Sequence, residues 1–152
     1  GMRSGTTNVP GIMGMDAAIA AYQQNQSDWV NAMRACKLRL AANIGAIGNT
    51  LVNGPSPESG APHILNMSIM GVNGEVLLGA LSQRGILVST GSACAARKKG
   101  KNRVLLAMGV CGDRQAGAVR FSLCPFLTFQ EIDEAASVIA DVAANLRKYK
   151  RR

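Results

Sequence analysis

Helix-forming patterns at both ends of the chain constrain its fold most strongly. Near the N-terminus, an alanine-rich run from Met15 is followed by apolar residues at helical spacing, namely Trp29, Met33, Cys36, Leu40 and Ile44. We expect two helices there, separated by the polar residues 25–28, after an irregular segment over residues 1–14. At the other end, Thr128 and Glu131 form a capping box, and apolar residues at helical spacing follow as far as Leu146.

The middle of the chain offers only short segments for strands. Residues 53–62 contain three of the five prolines and predict a surface loop. Beyond it, the pattern predicts strands over 63–69, 86–90 and 118–123, helices over 74–85 and 103–110, and a turn over 111–117. Short strands between long helices indicate an α+β domain with a small sheet covered by helices.

Composition limits the classes of protein that the chain can join. Its 152 residues, 47% of them apolar, suit one domain with a real core. Neither a membrane-spanning run nor a signal-peptide pattern is evident, which favours a cytoplasmic protein. The four cysteines form no CxxC pair and His63 is the single histidine, so we expect reduced thiols and no metal site.

The net charge of +8 is concentrated in two places. Ten of the 17 basic residues lie in two runs, within residues 97–103 and 147–152, and the rest of the chain has more acidic than basic residues. With aromatic residues at 4%, few side chains could stack on bases, so nucleic-acid binding is not favoured. A basic module that binds RNA or an acidic protein partner stays an alternative function.

The stretch "STGSACAARKKGK" at residues 89–101 is the strongest candidate site. It follows a predicted strand, and it places Cys94 among small residues and just before four cations. Positive charge stabilises a thiolate, and small neighbours leave it accessible. From the residues alone, an inert loop thiol is as good an interpretation as a reactive one. Cys36 lies on an apolar helix stripe, so we interpret it as core.

Three segments in order resemble a known family: "RSGTTNVPGIMGM" at the start, "VSTGSACAA" around Cys94, and "VRFSLCPF" before "TFQEID". They are similar to the C-terminal part of the pyridoxal-phosphate-dependent cysteine desulfurases, which have the class V aminotransferase fold. The resemblance implies the small C-terminal domain of such an enzyme, with a mostly antiparallel sheet. The "GSAC" form resembles the branch that supplies sulfur for iron–sulfur cluster assembly and tRNA thiolation.

The resemblance also implies roles for three residues. Cys94 matches the catalytic nucleophile, which attacks the sulfur of the L-cysteine substrate, becomes a persulfide, and swings on its loop towards a sulfur-acceptor protein. Arg120 matches the arginine that pairs with the substrate carboxylate, although alternation alone would make it a solvent-facing strand residue. Thr6 matches a threonine that reaches the cofactor phosphate across a homodimer interface, although a turn threonine is the simpler interpretation.

The resemblance does not include the family's large N-terminal domain, which carries the lysine that binds pyridoxal phosphate. No lysine here lies in a Ser-x-His-Lys setting, so we expect the isolated chain to bind no cofactor and to be inactive without that domain. We expect residues 1–25 to pack on the missing domain and residues 26–152 to form the small domain. Cys124 and Pro125 stand where the family usually has Gly-Arg, which affects the fine geometry of the site. An inert remnant that folds without activity is a third interpretation.

Overall fold

The computed structural model describes residues 5–91 and 102–149. Its elements are, in chain order, α1 (Val9–Ala46), β1 (Thr50–Val52), β2 (Ile64–Ile69), α2 (Gly74–Ser82), α3 (Arg103–Ala107), α4 (Gly112–Ala116), β3 (Ala118–Ser122) and α5 (Phe129–Tyr149). A three-stranded antiparallel sheet with helices around it confirms the predicted α+β class. Within these described ranges, no helix is long and apolar enough to cross a membrane.

The prediction of two N-terminal helices is wrong, because α1 is one helix of 38 residues. Its start also falls inside the segment predicted to be irregular, where the side chain of Asn8 accepts a hydrogen bond from Gly11 N (3.1 Å). The polar residues 25–28 contain no proline or glycine, and each costs a helix only a fraction of a kcal/mol. Asn25 Nδ2 donates to Ala21 O (2.8 Å) inside the helix, so the polar run does not interrupt it.

The sheet has strand order β1-β2-β3, and its two faces differ in chemistry. One face buries apolar side chains against α2, α5 and the second half of α1, which together form the main core. From the strands, this face contributes Leu65, Met67, Ile69, Val119 and Phe121. The predicted alternation in β3 is confirmed, since Val119 and Phe121 are buried while Arg120 and Ser122 are exposed. The opposite face is polar apart from one small apolar cluster, in which Ala118 packs with Leu105 of α3 and with Val110.

The predicted strand over residues 86–90 does not form in the described part of the chain. Ile86 and Val88 pack against the core and Leu87 is exposed, as in a strand, but only Ser89 pairs, in a single bridge to Arg120. Alternating burial shows only how the side chains pack. A strand also requires backbone pairing of successive residues with a neighbouring strand.

Two short elements differ from the sequence prediction. The strand β1 was missed because its three residues carry little pattern, and the predicted turn over 111–117 contains the short helix α4. Close packing requires glycine just after α4, since a Cβ on Gly117 would lie 2.4 Å from Ile69 O. Gly85 has φ +78° and follows α2, as the sequence predicted.

The helix α5 begins at the predicted cap and contacts other parts of the domain near both of its ends. Thr128 N and Oγ1 donate to Glu131 Oε2 (2.7 and 2.8 Å), which confirms the capping box. Arg39 on α1 forms a bidentate ion pair with Asp133. At the other end of α5, Arg147 donates to the backbone carbonyls of Met70, Gly48 and Asn49.

Candidate functional site

A row of four paired polar residues crosses the polar face of the sheet. Asn53 follows β1 and its N–H donates to Asn66 O on β2 (2.8 Å). Asn66 is the register partner of Arg120 on β3, and Arg120 pairs in turn with Ser89 through Ser89 N to Arg120 O (3.1 Å) and Arg120 N to Ser89 O (2.6 Å). Directly paired residues project from the same face of a sheet, so their side chains form one row.

Asn66 and Arg120 are close neighbours within this row. In β2 and β3, Leu123 N donates to His63 O, and Ile69 N donates to Gly117 O. Hydrogen-bonded pairs alternate with non-hydrogen-bonded pairs along an antiparallel ladder, so Asn66 and Arg120 form a non-hydrogen-bonded pair. Side chains in such pairs approach most closely, with Cβ atoms about 4.5–5.5 Å apart.

A hydrogen-bond network that the sequence did not reveal supports the first half of the row. Arg114 Nε donates to Asn53 Oδ1 (2.8 Å), and its Nη2 donates to Val52 O (2.8 Å). Asn53 Nδ2 donates to Asn66 Oδ1 (2.7 Å) and to Ser68 Oγ (2.8 Å), and Ser68 Oγ donates to Arg114 O (2.6 Å). One sequence signal could have indicated this network, namely the polar residues Asn66 and Ser68 at alternate positions of β2.

The described residues on both sides of Cys94 lie beside this row. Cys94 itself, with the rest of residues 92–101, lies outside the described residues. Before that segment, Ser89 Oγ donates to Gly91 O (2.9 Å), and after it Asn102 caps α3 and its carbonyl accepts from Gln115 Nε2 (2.9 Å). A Cβ on Gly91 would lie 3.1 Å from Asn102 Nδ2, so the two flanks of the segment are close together. They meet near Ser89, the residue that pairs with Arg120.

The structure does not bring Thr6 into this arrangement. Thr6 is exposed ahead of α1, and among the described residues no contact connects it with Arg120. Asn8, two residues further on, caps the helix. His63 is exposed, and its carbonyl accepts the hydrogen bond from Leu123 N, so it serves the strand pairing.

The three described cysteines differ in environment, and all three are free thiols. Cys36 is buried, as predicted, and its Sγ lies 3.4 Å from Leu127 O. Burial raises the pKa of the Cys36 thiol, and the nearby Cys124 and Glu131 raise that pKa further against an opposing effect of Arg39. A buried thiol with a raised pKa is a poor nucleophile at neutral pH. Cys111 and Cys124 are exposed.

The basic runs are only partly within the described residues. Arg103 begins α3, and residues 97–101 and 150–152 lie outside the described ranges. Arg147, counted in the C-terminal basic run, uses its guanidinium on three backbone carbonyls of its own chain. Arg147 therefore stabilises the fold. Because its guanidinium is already hydrogen-bonded within the chain, it adds little support for ligand binding by the C-terminal basic run.

Comparison with known proteins gives the family to which this chain and its fold correspond. The family model "Aminotransferase class-V" matches residues 1–135. The chain belongs to the class-V aminotransferase family.

Relatives within this family narrow the similarity to cysteine desulfurases. The chain is 38% identical over 148 residues to cysteine desulfurase IscS of Photorhabdus laumondii, a match that covers 97% of this chain and 36% of that protein. It is 35% identical over 148 residues to cysteine desulfurase 2 of Trichormus variabilis, covering 97% of this chain and 37% of that protein. It therefore spans little more than a third of the length of these relatives.

Solved structures agree with the sequence comparison. A NifS-like protein is 32% identical, with a TM-score of 0.82 over 95% of this chain and 36% of its own. A NifS-like protein from Rickettsia africae, 23% identical, has a TM-score of 0.78 over 92% of this chain and 36% of its own, which shows a shared fold. The predicted resemblance to the cysteine desulfurases is confirmed at the level of family and fold.

Proposed function

We propose that this chain is the C-terminal part of a pyridoxal-phosphate-dependent cysteine desulfurase, in which Arg120 binds the carboxylate of L-cysteine and Cys94 takes its sulfur. The observation that supports this most strongly is the paired backbone of Arg120 and Ser89, because Cys94 follows Ser89 by only five residues in the sequence. Arg120 is exposed, and among the described residues its guanidinium makes no ion pair or hydrogen bond. A guanidinium in that state can bind a carboxylate through two parallel hydrogen bonds.

The proposed reaction at Cys94 balances without an added oxidant. The Cys94 thiolate attacks the sulfur of L-cysteine, a new S–S bond forms, and the carbon–sulfur bond of the substrate breaks. The electron pair of that bond stays on the substrate carbon, which takes up a proton and leaves as alanine. Cys94 then holds the sulfur as a persulfide, which a sulfur-acceptor protein takes up by attacking the outer sulfur atom.

Pyridoxal phosphate would serve as the electron sink for this bond cleavage. The described residues fit the carboxylate end of the substrate, but they do not supply an amine for the cofactor. Lys37 Nζ donates to Ala61 O (3.0 Å), and Lys148 Nζ lies 3.5 Å from Asn145 Oδ1. Because no lysine of the sequence lies in a Ser-x-His-Lys setting, the proposal places the cofactor-bearing lysine in the part of the relatives that this chain does not span.

The same proposal assigns a partner to the first part of the chain. Residues 1–25 would pack on the large domain, and Thr6 would donate to the cofactor phosphate of a second subunit in a homodimer. The exposed apolar side chains of α1 between Val9 and Tyr22 support this division. The complete enzyme would act in the cytoplasm, in sulfur supply for iron–sulfur clusters.

Reconstitution tests the proposal. The chain is joined to the N-terminal part of the Photorhabdus laumondii relative, in place of the matching 148 residues, and supplied with pyridoxal phosphate, L-cysteine and dithiothreitol, whose oxidation to a cyclic disulfide releases the persulfide sulfur as sulfide. We expect sulfide and alanine from the hybrid and from its Cys111→Ser variant, and neither product from Cys94→Ser. Cys111 is the control because it is an exposed free thiol outside the proposed site. Equal activity of the Cys94→Ser and Cys111→Ser hybrids would contradict the assignment of Cys94.

Thiol reactivity of the chain alone gives a second test. Alkylation by iodoacetamide is followed residue by residue with mass spectrometry between pH 6 and pH 9. We expect Cys94 to react faster than Cys111 at every pH below about 8.5, the ordinary thiol pKa, because the neighbouring cations stabilise its thiolate. Cys36 should react last, since burial raises its pKa. A Cys94 rate no greater than that of Cys111 would count against an activated nucleophile.

A further inference from the structure

We propose that Asn66 is a second carboxylate-binding residue, which donates from Nδ2 to the same substrate carboxylate as Arg120, and that Arg114 acts through Asn53 to fix this orientation. The proposal rests on the proposed function of Arg120. It adds a specificity-determining amide on β2 and a positioning residue on α4.

The first step is the orientation of the Asn53 amide. A guanidinium has only donors, so Arg114 Nε must face the carbonyl oxygen of Asn53, at 2.8 Å from Oδ1. Nδ2 of Asn53 then lies on the side of Asn66 and Ser68, where it finds two oxygen acceptors. Ser68 Oγ gives its own proton to Arg114 O (2.6 Å), and it is therefore free to accept from Asn53. Donor and acceptor roles agree around the whole ring.

The second step is the orientation of the Asn66 amide. Because Asn53 Nδ2 donates to Asn66 Oδ1 at 2.7 Å, the Nδ2 group of Asn66 points away from Asn53. Within residues 5–91 and 102–149, no acceptor takes a hydrogen bond from that Nδ2 group. Asn66 and Arg120 are a non-hydrogen-bonded pair, which brings their side chains close together on the polar face.

The third step is the rigidity of the support. Asn53 is 6% exposed and Ser68 is fully buried, so water competes little for their hydrogen bonds. Arg114 also donates to Val52 O, which holds α4 against the edge strand β1. An amide held in place before the ligand arrives loses little conformational freedom on binding. The oriented Asn66 amide and the cationic guanidinium of Arg120 supply one donor group for each oxygen of a carboxylate.

The test is a nuclear magnetic resonance titration of the chain with L-cysteine under reducing conditions, with cysteamine as the matched ligand that lacks the carboxylate. We expect L-cysteine to shift both the Asn66 side-chain amide and the Arg120 Nε resonance, and cysteamine to shift neither. Movement of Arg120 with a stationary Asn66 would overturn this inference and leave the proposed role of Arg120 in place. Stationary resonances at both residues would overturn both, and equal shifts with cysteamine would show that the carboxylate is not the group recognised.

Variants separate donation from general packing. Asn66→Asp still accepts from Asn53 but cannot donate, and we expect it to weaken L-cysteine binding about tenfold or more. Asn53→Asp still accepts from Arg114 but cannot donate to Asn66, so we expect the unliganded Asn66 amide resonance to move and binding to weaken. Ser122→Ala, on the same sheet face, should leave binding unchanged, and its dispersed spectrum serves as the reference for an intact fold. Unchanged affinity in Asn66→Asp would refute the proposal.

Discussion

Residues 9–28 of α1 leave their large apolar side chains exposed, whereas residues 33–44 of the same helix bury one apolar stripe. The exposed set comprises Val9, Ile12, Met13, Met15, Ile19 and Tyr22, with exposed fractions between 44% and 66%. The buried set comprises Met33, Cys36, Leu40, Ala41 and Ile44, none more than 9% exposed. Trp29 lies at the boundary, in edge-on contact with Tyr22 (5.7 Å between ring centroids) and Phe126 (5.5 Å).

The difference between the halves shows that helix formation and burial have separate causes. Backbone hydrogen bonds and good propensities suffice to continue a helix that is already begun. Burial also needs an opposing surface, and in the described structure only the second half meets one, formed by α5 and the sheet. Under the proposed function, the large domain would supply the opposing surface for the first half.

The largest expected contrast between the halves is in amide hydrogen exchange. Amides of residues 33–44 should exchange only through global unfolding, with protection of about a thousandfold or more. Amides of residues 12–24 should exchange through local fraying, with protection lower by orders of magnitude. In the hybrid with the N-terminal part of the relative, protection should rise in the first half alone. Equal protection along α1 in the isolated chain would contradict the comparison.

Truncating one isoleucine in each half should show the next largest effect. Ile44 is completely buried and Ile19 is 51% exposed. We expect Ile44→Ala to lower the free energy of unfolding by about 3 kcal/mol, because it leaves a cavity in the core. Ile19→Ala should change it by less than about 0.5 kcal/mol. Denaturant titration measures both, and similar losses would show that the first half is packed in solution.

The aromatic boundary should respond more weakly. We expect Phe126→Ala to cost about 1 kcal/mol, the scale of an edge-on aromatic pair, and to shift Trp29 fluorescence to longer wavelength as its ring gains water. Tyr149→Ala, at a side chain that is 80% exposed, is the control and should leave the emission unchanged. An unshifted emission in Phe126→Ala would mean that the contact does not shield Trp29.

The smallest effect should come from the ion pair that anchors the second half to α5. The hydrogen bonds from Arg39 hold the pKa of Asp133 below its ordinary value, and Asn43 lowers that pKa further. A lowered folded-state pKa stabilises the fold above about pH 4, and the gain is lost as pH falls through the folded pKa. Asp133→Asn should therefore be slightly less stable than wild type at pH 7 and equal to it near pH 2.

Asp16→Asn provides the matched change in the first half and should have no effect at either pH. Denaturant titration at pH 7 and near pH 2 follows both variants. A difference between Asp133→Asn and wild type that persists at the acidic end would mean that the carboxylate charge is not its source.

Local signals predicted the elements whose structure depends on near neighbours in sequence. The capping box at Thr128, the alternation in β3 and the burial of Cys36 were all read from spacing, and the structure has them. The single helix α1 was missed because the polar residues 25–28 interrupt the apolar pattern, although none of them is a proline or glycine that would break a helix. Of the predicted site residues, Arg120 lies on the sheet face beside the flanks of the Cys94 segment, and Thr6 is exposed ahead of α1.

The network around Asn66 could not be predicted, since its members are far apart in the chain. Arg114 meets Asn53 across 61 residues, and Ser68 meets Arg114 across 46. No local pattern relates such positions, and only the register of β1 on β2 and the packing of α4 beside them bring them together.

Motifs, periodicity and caps act over a few residues, so the amino-acid sequence was enough to predict the family, the α+β class and the residue types available for chemistry. The tertiary structure decided which polar side chains share one sheet face and which way each amide points. Those choices depend on strand register and on donors and acceptors from distant segments, which acquire their relation only when the chain is folded.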